Sequence, residues 1–396
     1  MKVPRLPNRK KCCGCGACRA SCPKGAIVML PDEEGFLQPV VDAAKCVQCG
    51  KCEAVCPVLH PGKPRKPLAV YAAKAKDDEL RWGSASGGVF TVLAQDVLKR
   101  GGVVFGAGFE RPTWRVIHKA ATNEEELDDL RGSKYVQSDT GDTFKEAKSY
   151  LDTGREVLYS GCPCQIAALK SFLGKDYPNL LTVDLICHGV PSPLAWRKYL
   201  DCREKEAGGK ITRILARRYC VWQEFAISLE FDNSGEIAYC KNVASDTYIQ
   251  SFMRFWGLRE SCFNCAFRKL SSFSDLTIGD YGNISDSSPE MDDGKGVSAV
   301  ISVTERGMRI WNEIANDFVV CVKDMLDLCK VNTALLSSHT CRISLRRAFC
   351  CGVRAEDYDA VVKRMMNRRQ NSFCMHALWW LKRLLVNGEI NEFKWR

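Results

Sequence analysis

Apolar and polar positions along this chain fall into blocks whose period changes from segment to segment. GGVFTVLAQDVLKRGG, residues 87–102, repeats its apolar residues at three- and four-residue intervals, which predicts an amphipathic helix stopped by Gly101 and Gly102. VVFGAGF, which follows, is short and apolar throughout, as a buried strand is. The same succession recurs as TFKEAKSYLDTG then EVLYSG, QIAALKSFLG then LLTVDLI, and PLAWRKYLDCREKE then ITRILARR. FAISLEFD and EIAYCKN flank Asn233-Ser234-Gly235 and predict a hairpin, and AIVML, PDEEG and FLQPVV near the N-terminus read as strand, turn and strand. PVLHPGKPRKP, with four prolines, predicts a stiff linker and a domain boundary. The expected organisation is a small domain at 1–60, a linker at 61–67, a mixed α/β body of the α+β class at 68–340 and a basic helical region at 341–396.

Composition adds a compartment and a chemistry. Over 396 residues, 46% hydrophobic and 26% charged positions match a soluble globular protein. The basic opening MKVPRLPNRKK leads into no apolar run, so a secretory signal is not expected and the chain is read as cytoplasmic. In that reducing setting its 23 cysteines are expected to be thiols or metal ligands. The most apolar stretch near the C-terminus, HALWWLKRLLV, carries charges and falls short of the roughly 20 residues a membrane span needs.

The cysteines are not scattered. Cys12, Cys15, Cys18 and Cys22 before Pro23 form C-x2-C-x2-C-x3-C-P, and Cys46, Cys49, Cys52 and Cys56 before Pro57 repeat it. This is the ligand run of bacterial two-cluster ferredoxins, in which the fourth cysteine of each run ligates the other cluster. Cys12, Cys15, Cys18 and Cys56 are therefore expected on one 4Fe-4S cluster and Cys46, Cys49, Cys52 and Cys22 on a second, with Cys13 spare. Small residues between the ligands, Gly14, Gly16 and Ala17, let the loop wrap closely and aim backbone N–H groups at sulfur.

Beyond the linker, no G-x-G-x-x-G stands at a strand-to-helix turn and no phosphate-binding G-x4-G-K-[ST] occurs. A second sulfur pattern stands there instead. Cys162 and Cys164 follow one expected strand, Cys187 ends the next, and Cys262 and Cys265 form CFNC. Strand ends of an open sheet share a rim, so four of these thiolates could converge on a third cluster.

GCPCQIAALKSFL, LLTVDLICHGVPSP, SCFNCAFR, SDLTIGDYG, SASGGVF and RGSKYVQS together resemble the family of β-subunits of deazaflavin-coenzyme-reducing hydrogenases and dehydrogenases, flavin and iron-sulfur proteins often fused to a ferredoxin module. The resemblance runs from about residue 68 to 340. It implies a third 4Fe-4S cluster on Cys164, Cys187, Cys262 and Cys265, with the choice between Cys162 and Cys164 open. It also implies FAD held without a Rossmann fold, by Ser86, Gly87 and Gly88 at a helix N-terminus, by Ser133 and Lys134, and by Gly279 and Asp280. His188 and Asp280 are polar groups placed for proton delivery, but no catalytic acid is assigned.

A flavin beside clusters converts two-electron into one-electron traffic. The sequence thus reads as an iron-sulfur flavoprotein oxidoreductase fed by ferredoxin or another redox protein and acting on a small molecule. The competing reading is a non-catalytic electron-transfer subunit of a larger redox complex. A net charge of +10 invites nucleic-acid binding, but no recognition motif supports it. From Lys363 onward eight Lys or Arg face two Glu, interleaved with Leu378, Trp379, Trp380, Leu381, Leu384 and Leu385. That pattern suits peripheral contact with an anionic membrane or an acidic partner, or packing on the chain's own body.

Overall fold

The computed structural model describes residues 3–216 and 226–367. The N-terminal hairpin pairs strand β1 (Ile27–Pro31) with β2 (Leu37–Val41), turned by Asp32, whose carboxylate accepts the Glu34 and Phe36 N–H groups. The body contributes β3 (Ala69–Ala75), β4 (Val103–Glu110), β5 (Arg115–Ala121), β6 (Val157–Gly161) and β7 (Leu180–Leu185). Next come β8 (Ile211–Ala216), β9 (Ala226–Phe231) and β10 (Ile237–Asn242), then β11 (Leu276–Asp280), β12 (Ser298–Ser302) and β13 (Phe318–Lys323).

Eight strands form one sheet in the order β13-β3-β12-β11-β7-β6-β4-β5. Its centre, β11, β7, β6 and β4, is parallel, and the flanking pairs are antiparallel. The chain is thus α+β, with a small antiparallel sheet β10-β9-β8 beside the large one. The helices predicted from the 3.6 period appear where expected. Val89–Lys99 buries Val89, Val92, Leu93 and Val97 along one stripe and stops before Gly101, whose φ of 76° breaks the helix. Pro163–Leu173 and Pro193–Ala207 each begin with proline at the first helical position and end at a left-handed glycine, Gly174 and Gly208.

Alternation along the strands divides the core between two faces. Val104, Leu158, Leu181 and Val183 point to one face and pack with helices Val89–Lys99 and Glu305–Ile314, centred on buried Trp311. Val103, Phe105, Val157, Tyr159 and Leu180 point to the other and pack with helices Thr143–Asp152 and Pro163–Leu173. Ala17 and Ala20 of the first cysteine loop join that second cluster, so the N-terminal module shares the body's core. The linker is likewise laid down on the body: the Arg65 N–H donates to the Lys269 carbonyl and its guanidinium stacks over Phe273.

Helices Ile343–Ala355 and Tyr358–Asn367 pack Phe349, Val353, Tyr358 and Val361 against Trp196, Tyr199 and Tyr248 beside the small sheet. The basic stretch with Leu378 to Leu385 lies outside the described residues. Cys240 is disulfide-bonded, a departure from the expectation of thiols and metal ligands alone.

Asp184 in β7 falls on the polar seam of the second face, where it accepts hydrogen bonds from the Ser272 and Thr277 hydroxyls. Burial pushes its carboxyl up to about 6, and the hydroxyls offset this only in part. Unfolded, the group titrates near about 3.9. The folded chain therefore holds this proton more tightly, and the associated stability is complete below about pH 4 and lost as pH rises through about 6, on the order of 2–3 kcal/mol. Replacing Asp184 by Asn should remove that loss. The urea midpoint of Asp184→Asn relative to the parent should rise between pH 5 and 7.5, and a constant difference would contradict the assignment.

Candidate metal centres

The two cysteine runs fold alike because their backbones do. Gly16 and Gly50, in equivalent positions, are left-handed at φ 77° and 73° and start the one-turn helices Ala17–Ala20 and Lys51–Ala54. Two residues earlier, Gly14 and Gln48 are left-handed as well, at φ 68° and 56°. The resulting loops enclose two cavities. One is lined by Cys12, Cys15, Cys18 and Cys56, with Cys13 also at its wall, together with Leu6, Pro7 and Met29. The other is lined by Cys22, Cys46, Cys49 and Cys52. Each set takes three cysteines from one run and the fourth from the other.

The sulfurs sit among peptide donors. The Gly14 N–H donates to Cys12 Sγ at 3.4 Å and the Ala26 N–H to Cys22 Sγ at 3.2 Å. Burial pushes the Cys18 thiol up to about 12 and raises Cys12, Cys52 and Cys56. Desolvated thiols give up their protons when cationic iron takes their place, so binding a cluster here is coupled to proton release. Four thiolates with N–H donors to sulfur are the donor set a 4Fe-4S cluster uses, and both sites fit one.

The third sulfur group stands on the carboxyl rim of the large sheet. Cys162 follows β6 in an extended conformation and caps helix Pro163–Leu173, its N–H bound to Gln165 Oε1 at 2.9 Å. Its thiol interacts with Cys187, just past β7, and Cys262 and Cys265 lie near enough to raise it further. That interaction with Cys187, with the nearby Arg268 guanidinium, lowers Cys187, and peptide N–H groups of Gly189 and Phe267 reach Cys187 and Cys265 at 3.4 Å. Cys164 lies one step into the helical turn, where its thiol meets Cys13 of the N-terminal module and also feels Cys162 and Cys187. Cys162 interacts with Cys187, Cys262 and Cys265, and Cys164 with Cys13, Cys162 and Cys187, so both cysteines left open by the sequence stand beside this group. Among the described residues no three His, Cys, Asp or Glu side chains close around a single metal ion.

Three anchors missed by the sequence reading hold the first cysteine loop on the body. Arg259 donates to the Cys12 carbonyl at 2.8 Å, to Leu37 O at 2.9 Å and to Gln137 Oε1 at 2.8 Å. Gln137 Nε2 donates to Cys13 O at 2.8 Å, and Thr140 Oγ1 to Cys15 O at 3.0 Å. Isolated polar residues with no periodicity gave no signal; only the position of Arg259, three residues before Cys262, sets it apart.

The flavin candidates gather near the same rim. Because β12 is antiparallel to both β11 and β3, β3 ends on the side where β11 ends. Ser86 donates to Val297 O at 3.1 Å, and the buried Gly87 lies against β3 and Ser298, which pairs with Asp280. A Cβ on Gly87 would stand 2.2 Å from the Ala73 carbonyl, so close packing already requires that glycine. Gly88, at φ 90°, starts helix Val89–Lys99. Gly279 packs against Ile186, and Asn332 Nδ2 donates to Asp280 O at 3.1 Å while its buried Oδ1 has no partner. Ser133 and Lys134 follow Arg131, which reaches the Leu80 carbonyl of the segment leading to Ser86. The Lys134 ammonium donates to the Arg131 and Gly132 carbonyls. His188 is exposed, stacks on His339 and meets its Nε2 at 3.0 Å, while Phe255 covers the far face of His339.

Comparison with known proteins shows the family of the chain. Residues 70–145 and 154–327 match the N-terminal and C-terminal parts of the coenzyme F420 hydrogenase/dehydrogenase beta subunit, and residues 11–59 match a 4Fe-4S dicluster domain. The chain belongs to the family of coenzyme F420 hydrogenase/dehydrogenase beta subunits and carries a 4Fe-4S dicluster domain in front of the family's two parts. It is thus an iron-sulfur protein of the oxidoreductase class. It is 26% identical over 200 residues to a subunit of the F(420)H(2) dehydrogenase of Methanosarcina mazei, an alignment that spans 47% of this chain and only 56% of that relative. A chain of the F420-reducing [NiFe] hydrogenase complex from Methanosarcina barkeri, solved after xenon derivatization, overlays with a TM-score of 0.45 at 18% identity, covering 78% of this chain and 95% of that one. Among the described residues no helix is long and apolar enough to cross a membrane.

The crossed cavities carry a test. Paramagnetic resonance of the reduced Cys22→Ala variant should lose the signal that Cys46→Ala loses and keep the one lost in Cys12→Ala. Loss of the Cys12-dependent signal would refute the crossing.

Proposed function

We propose that the chain is an iron-sulfur flavoprotein oxidoreductase that joins one-electron traffic with a redox protein to two-electron reduction or oxidation of a small molecule in the cytoplasm. The observation that carries the reading is continuity. The first cysteine set touches the third sulfur group through Cys13 and Cys164, and the third group shares its rim with the flavin-candidate residues. Cys12, Cys15, Cys18 and Cys56 hold one 4Fe-4S cluster, and Cys22, Cys46, Cys49 and Cys52 a second. Cys162, Cys187, Cys262 and Cys265 hold a third, with Cys164 left as a half-buried thiol. When bound, clusters store single electrons and a flavin stores a pair.

The chain's own residues supply the setting. Arg268 and the Gly189 and Phe267 N–H groups offset negative charge on the third sulfur group. Ser86, Gly88 and the helix N-terminus behind them suit a pyrophosphate, and the half-buried Ser133, Lys134 and Asp280 suit the polar edges of FAD. His188, exposed beside Cys187, is placed to meet a small molecule arriving at the rim. A second reading, a non-catalytic electron-transfer role within a larger complex, is favoured by the Methanosarcina mazei relative, which is itself named as one subunit of a dehydrogenase. The family makes the deazaflavin a candidate substrate in either case.

Anaerobically purified full-length protein should contain about 12 iron and 12 acid-labile sulfide per chain. Cys162→Ala should lower both to about 8, while Cys164→Ala should keep them. Acid extraction should release one FAD per chain. Full iron without flavin would leave the electron-transfer reading, and zinc without sulfide would end both.

A further inference from the structure

The two ferredoxin-type loops are not equivalent in their surroundings. The first is turned inward: Cys12, Cys13 and Cys15 are buried, and their three carbonyls are held by Arg259, Gln137 and Thr140 of the body. The second is turned outward. Residues 42–51 are exposed at every position except Cys46, Cys49 included, and Val47 leaves 56% of its surface in water. The charged side chains lining its cavity, Lys24 and Lys51, are both cationic, and among the described residues neither is ion-paired. The module's acidic turn, Asp32, Glu33 and Glu34, is instead taken up by Arg9, Arg354 and Arg346.

We propose that this outward face, Val47 and Cys49 flanked by Lys24 and Lys51, is the docking surface for a small acidic one-electron carrier protein of the iron-sulfur type. The proposal rests on the redox reading above and adds to it a port and a direction inward, from the second cysteine set to the first and across the Cys13–Cys164 contact to the third. An exposed apolar residue flanked by two lysines, neither ion-paired among the described residues, is the complement of an acidic patch around a buried redox group. Long-range attraction of that kind steers encounter while leaving the contact weak and quickly released. Each docking event moves one electron: the carrier is oxidised by one as the chain is reduced by one, and no bond or proton is exchanged. Two events supply the pair a flavin takes up.

The test is a binding measurement on the anaerobic full-length protein, titrated with an oxidised acidic ferredoxin. Lys24→Glu/Lys51→Glu should raise Kd roughly tenfold or more at an ionic strength of about 0.05 M, with the difference shrinking at about 0.3 M. Iron content per chain should match the parent. Lys10→Glu/Lys11→Glu, which changes charge equally outside the second cavity, should have a smaller effect. Iron-replete protein whose Kd is unchanged by the Lys24/Lys51 reversal, or changed more by the Lys10/Lys11 reversal, overturns the docking surface and leaves the redox reading standing. Preference for phosphatidylserine vesicles over the ferredoxin would also overturn it. Protein purified anaerobically without iron would overturn the redox reading and this proposal together.

Discussion

The guanidinium of Arg259 is buried where three parts of the chain meet. It holds the first cysteine loop through the Cys12 carbonyl, the N-terminal hairpin through Leu37, and the body through Gln137, while lying over the ring of Phe36. Three residues later comes Cys262 of the third sulfur group. One fixed cation therefore sets the register between an N-terminal module and a site more than two hundred residues away in sequence. A Cβ on Gly14 would stand 2.6 Å from that guanidinium, so the loop's glycine serves the docking as well as the turn. Buried charge is tolerated because the donors are satisfied by carbonyls and an amide, and it opposes the burial that raises Cys12 and helps to lower Cys13.

Around that anchor the structure gathers sulfur in places hostile to free thiolates. Burial raises most of the candidate ligands, and peptide N–H groups, Arg259 and Arg268 pull the other way. The balance suits groups that lose their protons only when a metal centre replaces them.

Much of this was legible in the sequence because it rests on local chemistry. Helix Val89–Lys99 between glycines, the hairpin across Gly235 and the two cysteine loops with their glycines follow from short-range pattern and backbone permission. The third sulfur group was legible as far as strand ends share a rim. The choice between Cys162 and Cys164 was not, because it turns on which residue is the last extended one before the helix, a matter of two positions at an element boundary. Arg259, Gln137 and Thr140 were invisible for a different reason: their partners are backbone carbonyls more than a hundred residues away, and no periodicity marks such a bond. Gly87 was read as a phosphate-binding glycine, and the Ala73 carbonyl beside it gives it a packing role that sequence could not supply.

The central claim is that three sets of four cysteines, two of them in the module and one on the sheet rim, form one connected array. Anomalous diffraction at the iron edge from anaerobic crystals tests it most directly. The account predicts three separate iron clusters, the third bounded by Cys162, Cys187, Cys262 and Cys265, with Cys13 and Cys164 lying between it and the first. Iron confined to the module, with the rim cysteines bare or holding zinc, would contradict it.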